Sequence, residues 1–360
     1  MAEIQNPKSV PIAIALISLL AIPFSYAVAN LSVFHDYPAA VLGVGMLALV
    51  LPAFIAYALV FRHMPDSVRK DPFLYIFTIF AFACVLDLLI GFTLMGFTDV
   101  MTWYFESGEP YLNTAHGMAI NIWDGTVHYA LYLTIAYQMA SGKSYRRTGL
   151  IWVGSMMGSG MVFLIGNLIG VFANHVEPSY LLNVPFMLVP IFIAWRIFAQ
   201  NPEQSSRQLP KGALLNWSLT LALCTVASFS LFRLLVALNP DTAITAGWAG
   251  IEPYLQSPMA YPQLQIAVYA FWIAPFCLVA ALSLWRTAGR GISHWAWIFV
   301  GVVAQGQFAH IIAAMSEKNE IAYQIASESG AAFIVANLAI AGVVVWLAVH
   351  LDRQRTQQDV

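Results

Sequence analysis

Long runs of apolar residues, each closed by a short polar or charged patch, follow one another along almost the whole chain. A helix needs about 20 such residues to cross the hydrocarbon core of a bilayer. Ten runs reach that length, near 10–32, 38–62, 71–98, 114–140, 147–174, 180–199, 214–238, 261–286, 293–316 and 328–350. The short alternating segments of a membrane β-barrel are absent. The pattern therefore predicts an all-α polytopic membrane protein with ten transmembrane helices.

The cations sharpen this picture. One set of loops holds Lys8, then Arg62, Arg69 and Lys70, then Lys143, Arg146 and Arg147, then Arg196, Arg207 and Lys211, then Arg286 and Arg290, then Arg353 and Arg355. The alternate loops hold only Lys318, and Arg233 lies inside a run. Because Lys- and Arg-rich loops stay cytoplasmic, the segregation predicts that both termini are cytoplasmic. Composition agrees: 60% of the 360 residues are hydrophobic and 9% charged, against about 25% charged in a soluble domain. The net charge of −2 offers no basic field for a nucleic acid. Cys84, Cys224 and Cys277 all sit in apolar runs, so no disulfide framework is indicated. The first run admits a second reading, since Lys8, an apolar stretch and Ala27-Val28-Ala29 resemble a cleavable signal peptide; its length favours an uncleaved helix. Asn30-Leu31-Ser32 is a glycosylation sequon close to the end of that helix, and Gln357-Gln358-Asp359-Val360 carries no retention signal.

Glu109-Pro110-Tyr111-Leu112 recurs as Glu252-Pro253-Tyr254-Leu255. Each copy lies in a loop without basic residues, after a helix with an embedded ionisable residue, Asp87 or Arg233, and before another long helix. Two four-helix units in the same orientation are predicted, a parallel repeat about an axis along the membrane normal. Their bounds are 67–200 and 214–351, with a two-helix segment at 1–66, a cytoplasmic linker at 201–213 and a cytoplasmic tail at 352–360. The Glu-Pro-Tyr pieces read as short turns at the membrane surface, where Pro fixes φ and Tyr suits the interface. Loop closure alone is the competing reading for them.

Ionisable groups within a bilayer are costly and usually face a cavity or a partner. Asp87 and Asp124 fall at nearly the same depth on consecutive antiparallel helices, roughly 15 Å in at about 1.5 Å per residue. They are expected to face each other across one apolar cavity. A protonated acid beside an ionised one is an arrangement that proton-transfer chemistry uses. Asn121, Asp124 and His128 follow an i, i+3, i+7 spacing and are expected to share a face, flanked by Trp123 and Tyr129. A polar seam that holds helices together is the alternative. The second unit has Arg233, Glu252, Gln265, Tyr269, Gln305, Gln307 and His310 as counterparts, without a paired acid, and Arg233 is expected to snorkel or to pair with Glu252. His128 and His310 show no ligand spacing, so no metal and no cofactor are indicated.

These residues resemble the transmembrane 6 superfamily. The strings are Gly108–Gly117, Trp123–Tyr129, Glu252–Leu255 with Pro258, Ala260-Tyr261-Pro262 and Gln265, and Ala304–Phe308 with His310. The resemblance implies two EXPERA domains, a fold shared with emopamil-binding protein, a sterol isomerase, and with the sigma-2 receptor. It further implies a sterol- or lipid-binding protein of the endoplasmic reticulum membrane, with the ER–Golgi intermediate or lysosomal membrane as alternatives. The implied role is in lipid metabolism, through neutral-lipid secretion and lipid-droplet content. Implied partners are a sterol or other lipid and lipoprotein-assembly or other membrane proteins, with no nucleic acid. Asp87 and Asp124 match the two functional acids of those relatives; Asn183 and Phe186 match an asparagine and a tryptophan of the sterol pocket. Glu109, Asn121 and Trp123 join them as candidate ligand contacts. The isomerase's histidine before the first acid is Ala83 here, which weakens the alternative that Asp87, Asp124 and His128 catalyse a double-bond shift. A lipid transporter is the third reading; it would need helix interruptions at matching places in the two halves, and the sequence shows no such pair.

Overall fold

The computed structural model describes residues 7–29, 31, 37–200, 213–285 and 292–356, and all regular structure among them is helical. The principal helices are α1 Ser9–Ser18, α2 Ala21–Ala29, α3 Pro38–Leu59, α4 Pro72–Leu94, α5 Ala115–Trp123, α6 Tyr129–Ala140, α7 Arg146–Ile169, α8 Val184–Gln200, α9 Ala213–Leu238, α10 Ala260–Val268, α11 Ala274–Ser283, α12 Ile292–Ala314 and α13 Ser327–Thr356. The sequon residues Asn30 and Ser32, the linker except Ala213, and the last four residues lie outside the described residues.

Among the described residues, nine helical stretches are long and apolar enough to cross a membrane. They follow nine of the ten predicted runs. The remaining run, 114–140, is helical from Ala115 to Ala140, but His116, Asn121, Asp124 and His128 dilute its apolar character. The first stretch is two helices rather than one. Pro23 has no N–H to return to the Leu19 carbonyl, and the chain turns at Leu19–Leu20 before α2 begins.

Local sequence sets the helix starts. Asp71 accepts a hydrogen bond from Phe73 N at 3.1 Å, with Pro72 in the first helical position of α4. Thr114 caps α5 through Gly117 N at 2.9 Å. Gly117 must be glycine, because a Cβ there would lie 2.1 Å from the Leu112 carbonyl oxygen.

The chain packs as two compact units, residues 1–149 with 175–185, and residues 150–174 with 186–360. In the first unit α1 and α2 lie against α4 and α6. Val10 and Ile14 are fully buried, Ser18 Oγ lies 2.9 Å from Tyr129 OH, and Ala21, Ala48, Phe82 and Val85 form a common core. Lipid removes the hydrophobic drive between helices, so close backbone approach at small residues carries the packing. In the second unit a Cβ at Gly154 would lie 1.7 Å from Ile298 O, and one at Gly301 would lie 1.9 Å from Ile151 O. Large apolar side chains such as Leu47, Phe54, Trp195, Leu214 and Leu221 point outward, as bilayer-facing residues do.

Candidate functional site

In the first unit the turn Pro110–Leu112 is a single 3-10 turn, as the fixed φ of proline favours. It presents Glu109, which is 3% exposed. Asn183 Nδ2 donates to Glu109 Oε1 at 2.8 Å, and the Tyr104 and Tyr111 side chains lie near the same carboxylate. Ser179 Oγ donates to the Gly108 carbonyl at 2.9 Å and braces the turn. No cation is among these partners, so burial dominates. It pushes the Glu109 carboxyl up to about 7 against the lowering effect of Asn183, Tyr104 and Tyr111.

Residues Asp124–His128, between α5 and α6, form one π turn. Gly125 lies within it, and a Cβ on Gly125 would come 2.8 Å from Leu88 Cα and 2.9 Å from Leu88 N. The turn therefore rests on α4 at the residue after Asp87. A second close approach follows at Gly91, whose Cβ would meet Ile122 Cδ1 at 2.5 Å. Asp87 is half-buried, one residue before this contact.

Asp124 Oδ1 lies 2.7 Å from His128 Nδ1, with the two side chains 24% and 1% exposed. Trp123 Nε1 donates to His128 Nε2 at 3.3 Å. That bond needs a lone pair on Nε2, which assigns the proton of the neutral ring to Nδ1. Tyr132, packed between Phe77 and Phe80, closes the inner side of the imidazole. The carboxylate is thus steered by a fixed imidazole, while part of its surface stays open.

The second unit repeats the frame with different chemistry. Tyr269–Ile273 is again a π turn, between α10 and α11. Pro275 follows it and cannot bond back to the Phe271 carbonyl. Glu252 precedes the 3-10 turn Pro253–Gln256. Arg233 is fully buried; its Nε donates to Glu252 Oε2 at 3.0 Å and its Nη2 pairs with Oε1. Trp248 Nε1 donates to Oε2 at 2.6 Å, and His310 Nε2 lies 2.6 Å from Oε1. Burial opposes ionisation of Glu252, but the Arg233 guanidinium and His310 outweigh it and hold the carboxyl down at about 2. Glu109 and Glu252 thus occupy matching turns and face opposite electrostatics.

Several expectations change. Asn121 Nδ2 bonds to the Gly117 carbonyl at 2.7 Å, and the regular α-helix gives way to the π turn three residues on, at Asp124. Arg233 does not snorkel; it pairs. Trp123 is held by His128. Phe186 falls in the second unit, whereas Asn183 falls in the first and meets Glu109. The matching helix irregularities absent from the sequence reading exist, as the two π turns, although neither breaks its helix. Gln265, Tyr269, Gln305 and Gln307 are all at most 2% exposed. Gly125 and the His310–Glu252 contact escaped the sequence reading altogether. A π turn leaves no periodic signature in five residues, and Glu252 and His310 are far apart in sequence.

Comparison with known proteins gives one consistent result. A family model described as "Transmembrane 6 superfamily member 2-like, transmembrane domain" matches residues 20–208. Transmembrane 6 superfamily member 2 of Rattus norvegicus is 37% identical over 336 residues, covering 90% of this chain and 88% of the relative. The Homo sapiens protein of the same name is 36% identical over 346 residues, covering 91% and 89%. That of Mus musculus is 37% identical over 339 residues, covering 90% and 88%. No solved structure matches the chain. With family model and full-length relatives in agreement, this multi-pass membrane protein belongs to the transmembrane 6 superfamily member 2-like family.

Proposed function

We propose that this chain is an intramembrane sterol- or lipid-binding protein that regulates lipid metabolism through neutral-lipid secretion and lipid-droplet content. In this reading the first unit, formed around α4 and the α5–α6 helix, holds the ligand's polar end against Asp87 and Asp124. The observation that carries it is the seating of Gly125 on Leu88, one residue after each acid. A lipid hydroxyl donating to an ionised carboxylate makes a charge-assisted bond, stronger than a neutral one. The cation segregation supports a tenth crossing at 115–140 with both termini cytoplasmic. The family resemblance supports the endoplasmic reticulum membrane and partners among lipoprotein-assembly or other membrane proteins. The test is equilibrium binding of a fluorescent sterol to purified protein. Saturable binding by the wild type that is lost in Asp87→Ala supports the reading, and equal binding by both sinks it.

A second reading, sterol double-bond isomerase, is favoured by one feature, the Asp124–His128–Trp123 chain. An acid would deliver a proton to one alkene carbon, forming a C–H bond and a neighbouring cation. Loss of a proton from the adjacent carbon to a carboxylate would restore the double bond one position away, with no net change in electrons. Incubation with 8-ene sterols and detection of 7-ene products decides it. Turnover that survives in Asp124→Asn rules this mechanism out.

A further inference from the structure

The second unit gathers buried polar atoms that its ion pair does not use. Gln265 of α10 and Tyr269, one turn on, both face Gly306 of α12. A Cβ on Gly306 would lie 2.6 Å from Gln265 Nε2 and 2.7 Å from Tyr269 OH. The two side chains are 2% and 1% exposed. Neither amide atom of Gln265 nor the Tyr269 hydroxyl has a hydrogen-bond partner among the described residues. Further along the same face of α12 comes His310. Its Nε2 lies 2.6 Å from Glu252 Oε1 and 3.0 Å from the donor Arg233 Nη2. Nδ1 is buried with no hydrogen-bond partner among the described residues, and it accepts or donates according to which of those two contacts Nε2 makes. That Arg233 contact ties the ion pair to this face of α12.

Buried polar atoms are nearly always satisfied, and an unsatisfied cluster calls for an occupant. Charge narrows the choice. Arg233 and Glu252 neutralise one another, so the region offers no net charge to a phosphate or an amine, and Arg233 Nη1 adds one more unpartnered donor. Tyr269 and Gln265 Nε2 can donate, Gln265 Oε1 can accept, and His310 Nδ1 does one or the other according to its tautomer. A group that both donates and accepts without carrying charge fits this set: an alcohol. We propose that the second unit binds the hydroxyl end of an uncharged lipid at Gln265, Tyr269 and His310. Gly306 leaves the polar groups the volume that a side chain would fill. This site is separate from the acid-lined site proposed for the first unit and does not depend on it.

The experiment uses the full chain in lipid nanodiscs and three photoreactive probes: a sterol with a free hydroxyl, the same sterol as its methyl ether, and a diacylglycerol with a free hydroxyl. Labelled peptides from 260–283 and 292–314 are quantified by mass spectrometry. A free-hydroxyl probe is expected to label them, and the ether at least about fivefold less, the scale of one lost hydrogen bond. Whether the sterol, the diacylglycerol or both label identifies the source. Gln265→Leu and Tyr269→Phe each reduce labelling by a similar factor, as does Gly306→Val where it folds. Asp87→Asn leaves these peptides labelled. Equal labelling by alcohol and ether, or labelling indifferent to both Gln265→Leu and Tyr269→Phe, overturns the proposal and leaves the polar set to water alone.

Discussion

Gly125 rests on the backbone of Leu88, close enough that a Cβ would stand 2.8 Å from its Cα. That contact fixes the π turn of Asp124 against the helix of Asp87. Gly125→Ala must part the two segments, because backbone cannot swing aside as a side-chain tip can. Overpacking of this kind costs about 1–3 kcal/mol. Thermal unfolding in detergent is expected to show the loss in Gly125→Ala and little change in Thr126→Ala, whose side chain is exposed.

Arg233 and Glu252 make a buried pair whose removal is expected to be non-additive. Glu252→Leu leaves a guanidinium without its counter-charge, and Arg233→Leu leaves a carboxylate without its own. Each single change is expected to destabilise by about 3–5 kcal/mol. The double variant, free of unpaired charge, is expected to lose clearly less than the sum. A double-mutant cycle by chemical unfolding measures the coupling; strict additivity would contradict the geometry.

Glu109 predicts a pH dependence of opposite sign to that of a salt-bridged acid. Its carboxyl stands at about 7 in the folded protein against an ordinary value of 4.5. The folded state therefore binds the proton more tightly than the unfolded one. Its contribution is complete below pH 4.5 and is lost as pH rises to about 7. The loss is about 3 kcal/mol at most, at 1.36 kcal/mol per pH unit. Glu109→Gln keeps an acceptor for Asn183 and abolishes the titration. The wild type is expected to lose stability relative to Glu109→Gln between those two pH values, read from paired melting curves.

Gly154 and Gly301 bring α7 and α12 within backbone contact in the second unit, each facing a carbonyl oxygen of the other helix. Gly301→Val is expected to prevent that approach and to lower the yield of folded, monodisperse protein on gel filtration. Gly330→Val, where a Cβ meets nothing within 4 Å, is expected to leave it unchanged.

The helices were legible because a bilayer asks each for a long apolar run, and such runs stand out in sequence. The turns at Glu109 and Glu252 were legible for a local reason, proline followed by tyrosine. The pairing of Arg233 with Glu252 could be read from the repeat as one of two options, and full burial of the arginine decides between them. Other features depend on contacts made only on folding. Asn183 reaches Glu109 across 74 residues and His310 reaches Glu252 across 58. The two π turns, Asp124–His128 and Tyr269–Ile273, leave no mark in the α-helical spacing, and Gly125 and Pro275 point to them only in hindsight.

The central claim is that the first unit holds a lipid at Asp87 and Asp124. Mass spectrometry of lipids retained through purification tests it most directly, comparing wild type with Asp87→Ala, Asp124→Ala and the surface control Thr126→Ala. A defined sterol or neutral lipid is expected near one per wild-type chain, kept in the control and reduced at least about fivefold in both acid variants, the scale of a lost charge-assisted hydrogen bond. The same lipid at the same ratio in folded Asp87→Ala and Asp124→Ala would contradict the claim.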